Sequence, residues 1–435
     1  MKKLLAIGLI VCFNRVIAQD TVVKVLPLTE LFQLTEVNSR QLQASKQNVG
    51  INEARTEIAR SQKLPDIETS AEAGYLSTIT ILNPNFSWYA NVETPHFVNN
   101  YFLGASETLY KGGSIRLNIK KGELGEQLAA LNYEKDRQDI KLLLLGRYLE
   151  LFQQYNNRLI YRENIRLAKK RLDDLNKLKR QGLVTQNDII RNELLLSDFQ
   201  LDLQQVENNI TILNKELQVV LGLPERTRIL PDTTLTSQPI SVSTLTDYSA
   251  LAQKNQPAIQ SSRISEQIAG KNVAIEKAAR LPELSVYAGD ALQRPFLNTL
   301  EPLNIYYNAY QAGFKLKYNI SSIYHARDRI KLARLEQEQQ KAQTAYREQQ
   351  AEIEVTTAFT RYQEARERAV TLSKSLDLAN DNFRVVEKKY INQLAQVTDM
   401  LDASTAKLSA ELRLNNEKIN IINQWFRLQK AAGNF

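Results

Sequence analysis

The chain has 435 residues, a formal net charge of +8, and 24% charged side chains. Its only cysteine is Cys12, and its two histidines, His96 and His325, are far apart without ligand-spaced partners. A single cysteine excludes a disulfide within the chain and a thiolate metal cluster. No phosphate-binding glycine-rich loop, GxSxG or HExxH motif occurs. The composition therefore predicts neither an enzyme nor a bound cofactor or metal.

The positive charges do not predict a nucleic-acid partner. Lysine and arginine alternate with aspartate and glutamate along the predicted helices, which is typical of solvated helix faces. We find no basic stripe with interleaved aromatic residues, the usual pattern of a nucleic-acid surface.

The first residues have the pattern of a secretory signal peptide. Lys2 and Lys3 precede an apolar run at 4–13, and a small residue, Ala18, follows shortly after. We predict a signal peptide over residues 1–18, with a core helix as the alternative. Val11 precedes Cys12, where a lipoprotein signal has a small residue, so lipidation is not expected.

The remaining sequence is duplicated. LPDIETSAEAGYL begins at Leu64 and LPELSVYAGDAL at Leu281, and helix-like sequence of about 33 residues precedes each. Further on, GLVTQNDIIRNEL from Gly182 corresponds to QLAQVTDMLDASTAKL from Gln393. This period is far longer than that of a solenoid repeat. We therefore predict two structural repeats, 19–235 and 236–435, each with a helix, a strand pair, a long helix, a corner and a helix.

Long helices are indicated where proline and glycine are missing. Residues 314–432 contain neither, and residues 96–223 contain no proline. The sequence predicts long helices at about 120–180 and 324–391. Apolar residues recur there at alternating spacings of three and four, the seam of coiled-coil packing, although an ordinary buried stripe has the same spacing. One such series is Val355, Ala358, Tyr362, Ala365, Ala369, Leu372, Leu376, Ala379, Phe383, Val386 and Tyr390.

Four strands are predicted between the helices, at 66–77, 101–110, 283–292 and 305–319. In the last, tyrosine and other apolar residues alternate with polar ones, as in a membrane-barrel strand. The loop at 83–100 carries further aromatic residues. A soluble sheet with one wet face is the alternative. Because four strands cannot close a barrel, a membrane sheet of this size requires several protomers.

The ordered set of segments resembles the TolC-like outer-membrane efflux protein family. It comprises the Leu-Pro turn, LYKGGSIR at 109–116, the GLVTQND turn at 182–188 and the LGLP helix end at 221–224. The resemblance covers nearly the whole chain after the signal. It implies a mainly α fold, in which a duplicated long-helix coiled-coil α-barrel joins four β-strands per protomer in a shared 12-stranded trimeric β-barrel. The strand regions 66–110 and 283–319 would form the barrel.

The same resemblance implies location and partners. A homotrimer in the outer membrane of a Gram-negative bacterium is expected, contacting outer-membrane lipid, with its helical part in the periplasm. A periplasmic adaptor protein would connect it to an inner-membrane pump. The predicted function is the exit duct of a tripartite efflux or type I secretion system. The alternative is a non-channel periplasmic coiled-coil scaffold or adaptor.

The family's channel constriction corresponds to TDMLDA here. This implies that Asp399 and Asp402, three residues apart on one helix face, form acidic rings in the trimer. The alternative is an ordinary helix N-terminus, where aspartate is favoured by capping and by the helix dipole.

The family's closed state is held by links between the corners. Asp188 and Tyr390 match two members of that lock, whereas Ala395 occupies the position of its arginine and Gln393 that of a glycine. We therefore expect a weaker lock, or one that uses Lys388 or Lys389.

Apolar residues in the corners are candidates for adaptor docking. The predicted docking tips are Gly182, Leu183, Val184, Leu394 and Val397. Packing of one corner against the other is the alternative explanation.

Overall fold

The computed structural model describes residues 22–234, 243–299 and 302–435. The predicted signal peptide lies outside the described residues. The helices are α1 (Leu28–Asn38), α2 (Arg40–Ser61), α3 (Ser114–Arg180), α4 (Gln186–Leu221), α5 (Leu245–Asn255), α6 (Pro257–Ala278), α7 (Ser322–Ile391) and α8 (Val397–Ala431). The strands are β1 (Val22–Leu26), β2 (Asp66–Tyr75), β3 (Ile79–Leu82), β4 (Trp88–Val92), β5 (Phe97–Lys111), β6 (Thr227–Pro231), β7 (Glu283–Arg294) and β8 (Tyr307–Lys317).

The predicted mainly helical fold with a small sheet is confirmed. Helices α3 and α7 have 67 and 70 residues and begin slightly earlier than predicted. The apolar series of α7 lies inward, since each of its members is buried or half-buried. Among the described helices, not one combines the length and the apolar character that a membrane crossing requires.

The prediction of one continuous helix before each Leu-Pro turn is wrong. The first breaks at Ser39 and the second at Gln256, both in extended backbone. Gln256 precedes Pro257, and a residue before proline is disfavoured in the helical conformation. At Ser39 the side-chain oxygen accepts a hydrogen bond from the Leu42 amide (3.4 Å), which caps the helix that follows.

The loop predicted at 83–100 is also corrected. Strands β3 and β4 pair as an antiparallel hairpin within 79–92, and β5 already begins at Phe97. Strands β1 and β6 were not predicted; they form a separate parallel pair. Their sequences are short and lie outside the segments that the repeat made recognisable.

The chain divides into two compact units that cut across the predicted repeats. Unit 1 contains the residues up to Gln43, Gln138–Ser243 and Thr357–Lys430. Unit 2 contains Ala44–Arg137, Thr244–Thr356 and Ala431–Phe435. Each unit therefore takes helices from both halves of the sequence. The repeat boundaries at 19–235 and 236–435 stay a prediction.

Unit 2 contains the main sheet. Its strands follow the order β2–β5–β7–β8, and every neighbouring pair is antiparallel. One face, called the apolar face here, includes four large side chains that are each more than half exposed: Ile67, Leu103, Phe314 and Leu316. The opposite, polar face includes Glu68, Glu72, Gln311 and Lys315. In a soluble protein, large apolar side chains on one face of a sheet are normally buried in a core, whereas these are exposed.

Unit 1 packs its helices through several separate apolar clusters. Tyr148 of α3 is fully buried. Its hydroxyl donates to the carbonyl of Leu26, the last residue of β1 (2.6 Å), and accepts from the amide of Asp232, which follows β6 (2.7 Å). One side chain thus ties this small sheet to α3.

Candidate functional site

Unit 1 contains both helix corners. In the first corner, α3 ends at Arg180 and Gly182 has a left-handed backbone (φ 75°). The Leu183 amide then bonds back to the Leu178 carbonyl (3.0 Å), a helix-terminating pattern that glycine allows without strain. Thr185 caps α4 through a reciprocal capping box with Asp188.

The second corner repeats this geometry without the glycine. After α7 ends at Ile391, Gln393 takes the left-handed conformation (φ 60°), and the Leu394 amide bonds to the Lys389 carbonyl (2.8 Å). A residue with a Cβ pays for this conformation with roughly 1–2 kcal/mol. The departure from the family's glycine therefore leaves the turn unchanged but adds strain.

Apolar packing holds the corner helices together. Leu175, Ile189 and Val397 form a buried cluster, against which Val184 and Tyr390 pack. A second cluster is formed by Phe383, Met400 and Ala403 and also contacts Tyr390. Local packing, the alternative explanation for the apolar corner residues, therefore accounts for Val184 and Val397.

Two of the predicted docking residues have a different environment. Leu183 is 48% exposed and Leu394 is 77% exposed, whereas Val397 is only 7% exposed. The exposed leucines lie in the two turns, next to the left-handed residues. A partner could reach both leucines without displacing the core, and Ile391 at the end of α7 is similarly exposed (71%).

The two predicted constriction residues lie at the start of α8. Asp399 accepts a hydrogen bond from the Gln396 amide (3.0 Å), so it caps the helix as the alternative explanation proposed. Asp399 and Asp402 are both exposed in the single chain. Capping uses one carboxylate oxygen and leaves the charge at the surface, so it is compatible with a second role.

The two predicted lock residues do not bond to each other in the single chain. The Asp188 carboxylate accepts from the backbone amide (2.8 Å) and the hydroxyl (2.7 Å) of Thr185. Within the described residues, the buried Tyr390 hydroxyl has no hydrogen-bond partner. Burial raises the pKa of Tyr390, an effect that the positive charge of Arg171 opposes and that Asp188 and Asp174 reinforce.

Arg171 of α3 is a member of this site that the sequence analysis missed. Its Nη2 donates to the Ser404 hydroxyl (2.7 Å), while its buried Nη1 has no partner among the described residues. Burial lowers the pKa of Arg171, and Glu387 and Tyr390 oppose that shift. An arginine is therefore present beside Tyr390, although Ala395 occupies the family's arginine position.

A signal for Arg171 exists in the sequence. It lies three residues after Ala168 and four before Leu175, both of which are buried. That spacing places it on the buried stripe of α3. The surrounding run AKKRLDDLNKLKR is so highly charged that it resembles a solvated face throughout. Lys388 and Lys389, the predicted substitutes, are exposed and form no ion pair among the described residues.

The comparison with protein families addresses the second half of the chain. The family model described as outer membrane efflux protein matches residues 249–434, which include α7, the second corner and α8. No curated protein matches the sequence significantly. The second half of the chain is therefore similar to the outer membrane efflux protein family.

Solved structures of outer-membrane channels have a fold similar to that of this chain. The outer-membrane channel OprN has 16% identity and a TM-score of 0.78, over 94% of this chain and 90% of its own. VceC from Vibrio cholerae has 16% identity and a TM-score of 0.77, over 93% and 96%. The CmeC outer-membrane channel of Campylobacter jejuni has 17% identity and a TM-score of 0.75, over 94% and 85%. At these identities the likeness concerns the fold.

Proposed function

We propose that this protein is the outer-membrane exit duct of a tripartite efflux or type I secretion system. It would conduct substrates passively from an inner-membrane pump, through a periplasmic helical tunnel, to the exterior. In this role the protein provides a path for the substrate and catalyses no reaction. The match of residues 249–434 to the outer membrane efflux protein model supports this function.

The observation that carries the proposal is the sheet of unit 2. Its apolar face exposes large side chains, and its edge strands β2 and β8 have one hydrogen-bonding side without a partner strand among the described residues. Unpaired backbone groups cannot face lipid, because water is missing there. Three copies would supply twelve strands and pair every edge, so the proposed working form is a homotrimer in contact with outer-membrane lipid.

The proposed constriction follows from the same trimer. Three copies of Asp399 and Asp402 around one axis would make two acidic rings at the periplasmic end. Such rings favour cations and bind divalent ions by charge. The Gln396 amide donates a hydrogen bond to the Asp399 carboxylate, which would fix the orientation of the ring that Asp399 forms.

Planar-bilayer conductance of the purified protein tests the duct. We expect small, cation-selective steps from the wild type, and reduced selectivity and weaker divalent block from an Asp399→Ala/Asp402→Ala variant. Asp198→Ala is a matched control, because Asp198 is also an exposed helical aspartate but lies on α4 about 15 Å along the helix from Asp188. A control variant that loses selectivity equally would contradict the assignment of the rings.

The alternative function gives a different result. A periplasmic scaffold or adaptor would be soluble without detergent and would produce no conductance steps. That outcome would overturn the duct itself, whereas steps without selectivity would overturn only the acidic rings.

We also propose that the exposed corner leucines contact the periplasmic adaptor through which the pump is coupled. A Leu183→Asp/Leu394→Asp variant should assemble normally but fail to support export. The matched control is Leu194→Asp, since Leu194 is 61% exposed on α4 away from the turns. Full export by the corner variant would exclude these leucines from docking.

A further inference from the structure

A groove in unit 1 has a marked excess of positive charge. It lies between α3, α4, the turn after α4 and β6, and its volume is about 1010 Å³. Among its lining residues, five cations exceed two carboxylates by three charges. The charged residues are Arg158, Arg162, Lys215, Arg226, Arg228, Glu207 and Glu225.

Both carboxylates of the groove are already paired. Arg162 contacts Glu207 (2.7 Å), and Lys215 contacts Glu225. Arg158 and Arg228 form no ion pair with either carboxylate.

Two guanidinium groups of the groove lining contact the ring of one tyrosine, Tyr155. Arg158 lies over the ring of Tyr155 at 4.7 Å from its centroid. Arg228 lies at 5.8 Å and donates from Nε to the Tyr155 hydroxyl (3.2 Å). The ring of Tyr155 is buried, so it fixes both guanidinium groups against the wall of the groove.

Neither guanidinium has an anionic partner. Arg158 and Arg228 form no ion pair among the described residues, and the buried Nε of Arg158 has no hydrogen-bond partner there. Burial lowers the pKa of Arg158, and the neighbouring charges of Arg162 and Arg228 lower it further, whereas Tyr155 and Glu207 oppose the shift. Like charges are thus held close together, with hydrogen-bond donors left over.

Oxyanions match this arrangement. A guanidinium presents parallel N–H donors that bind phosphate or carboxylate oxygens in pairs. The volume is at the upper end of the range for small-molecule sites, roughly 300–1,000 Å³. We propose that the groove binds a small multivalent oxyanion, of the phosphate or carboxylate class, with Arg158 and Arg228 as its principal ligands.

The test is calorimetric titration of the full-length protein in detergent with inorganic triphosphate, and separately with citrate, at constant ionic strength. We expect saturable binding of one anion per protomer. An Arg158→Gln/Arg228→Gln variant should bind at least about tenfold more weakly, because both guanidinium groups and their paired N–H donors are lost. Arg166→Gln is the matched control: Arg166 is an exposed α3 arginine outside the groove and pairs with Glu163.

A second pair of measurements separates ligand binding from misfolding. Arg158→Lys/Arg228→Lys keeps the charge but removes the paired donors, so its affinity should be intermediate. Triphosphate should raise the melting temperature of the wild type and of Arg166→Gln, but not that of the double glutamine variant.

Three results would overturn the proposal. Equal heats from the wild type and the double glutamine variant would mean that the arginines are not ligands. Full displacement of triphosphate by chloride would mean that the groove attracts anions only by its net charge and has no specific site. No binding to the wild type, with weaker assembly of the double variant, would show that carboxylates of a second copy occupy the groove.

Discussion

At the scale of single residues, the corners are organised around Tyr390. Its ring packs against both apolar clusters, while its hydroxyl is buried without a hydrogen bond in the single chain. Arg171 approaches it from α3 and Asp188 from α4. An unsatisfied buried hydroxyl costs free energy, so this group either finds a partner in the assembled protein or contributes nothing through its oxygen.

These two cases predict different outcomes for Tyr390→Phe. If the hydroxyl has no partner, the free energy of unfolding should change by less than about 1 kcal/mol, because no hydrogen bond is lost. Tyr390→Ala should cost about 3 kcal/mol or more, because the packing of the ring is lost. Denaturant unfolding of both variants measures the difference.

The assembled protein provides the control for that prediction. A loss in Tyr390→Phe that appears only in the oligomer, together with a higher closed-state conductance, would place the partner of the hydroxyl on another copy. Unchanged conductance would exclude Tyr390 from the lock.

At the scale of secondary-structure elements, Tyr148 is the connection between α3 and the β1–β6 pair. Burial raises the pKa of Tyr148 to about 12, with the charge of Asp232 adding to the rise and the hydrogen bond from its amide opposing it. The pKa in the unfolded chain is about 10. The folded state therefore retains the proton more strongly than the unfolded state does.

This shift predicts an alkaline loss of stability. The contribution of Tyr148 is fully present below about pH 10 and is lost as the pH rises through about 12, because the buried phenolate is disfavoured. Tyr148→Phe should lack this dependence but cost about 1–3 kcal/mol at neutral pH, since the Leu26 carbonyl and the Asp232 amide lose their partner.

Unfolding curves at pH 8 to 12 check both parts. Tyr346→Phe is the control, because Tyr346 is 50% exposed. An unchanged alkaline slope in Tyr148→Phe would mean that other groups cause the loss.

At the scale of the whole molecule, the important feature is the difference between the apolar and the polar face of the main sheet. Ala312 and Gln311 are neighbours near the middle of β8, and both are exposed. Ala312 is on the apolar face, opposite Ala288, whereas Gln311 is on the polar face, opposite Gly289.

We predict that Ala312→Arg prevents insertion into the outer membrane and that Gln311→Arg does not. An arginine on the lipid side of a membrane strand costs about 2–4 kcal/mol near the midplane, whereas the opposite face accepts it. Membrane fractionation of the two variants is the measurement. Equal insertion of both would contradict the assignment of the apolar face to lipid.

The sequence alone determined the long helices, the four strands and the corner turns. Each depends on local physics: missing proline and glycine allow a helix to continue, the three-four spacing marks its buried side, and period-two alternation marks a strand. The left-handed conformation at Gln393 was not predicted, since its residue type argues against it.

The tertiary structure alone decided which distant side chains meet. The breaks at Ser39 and Gln256, the β1–β6 pair, the position of Arg171 beside Tyr390 and the two guanidinium groups on Tyr155 were not predicted from the sequence. In a highly charged chain, each arginine looks alike in sequence. Whether it is solvated or buried without a partner depends on the helices packed against it, and that packing is set by contacts between residues far apart in the chain.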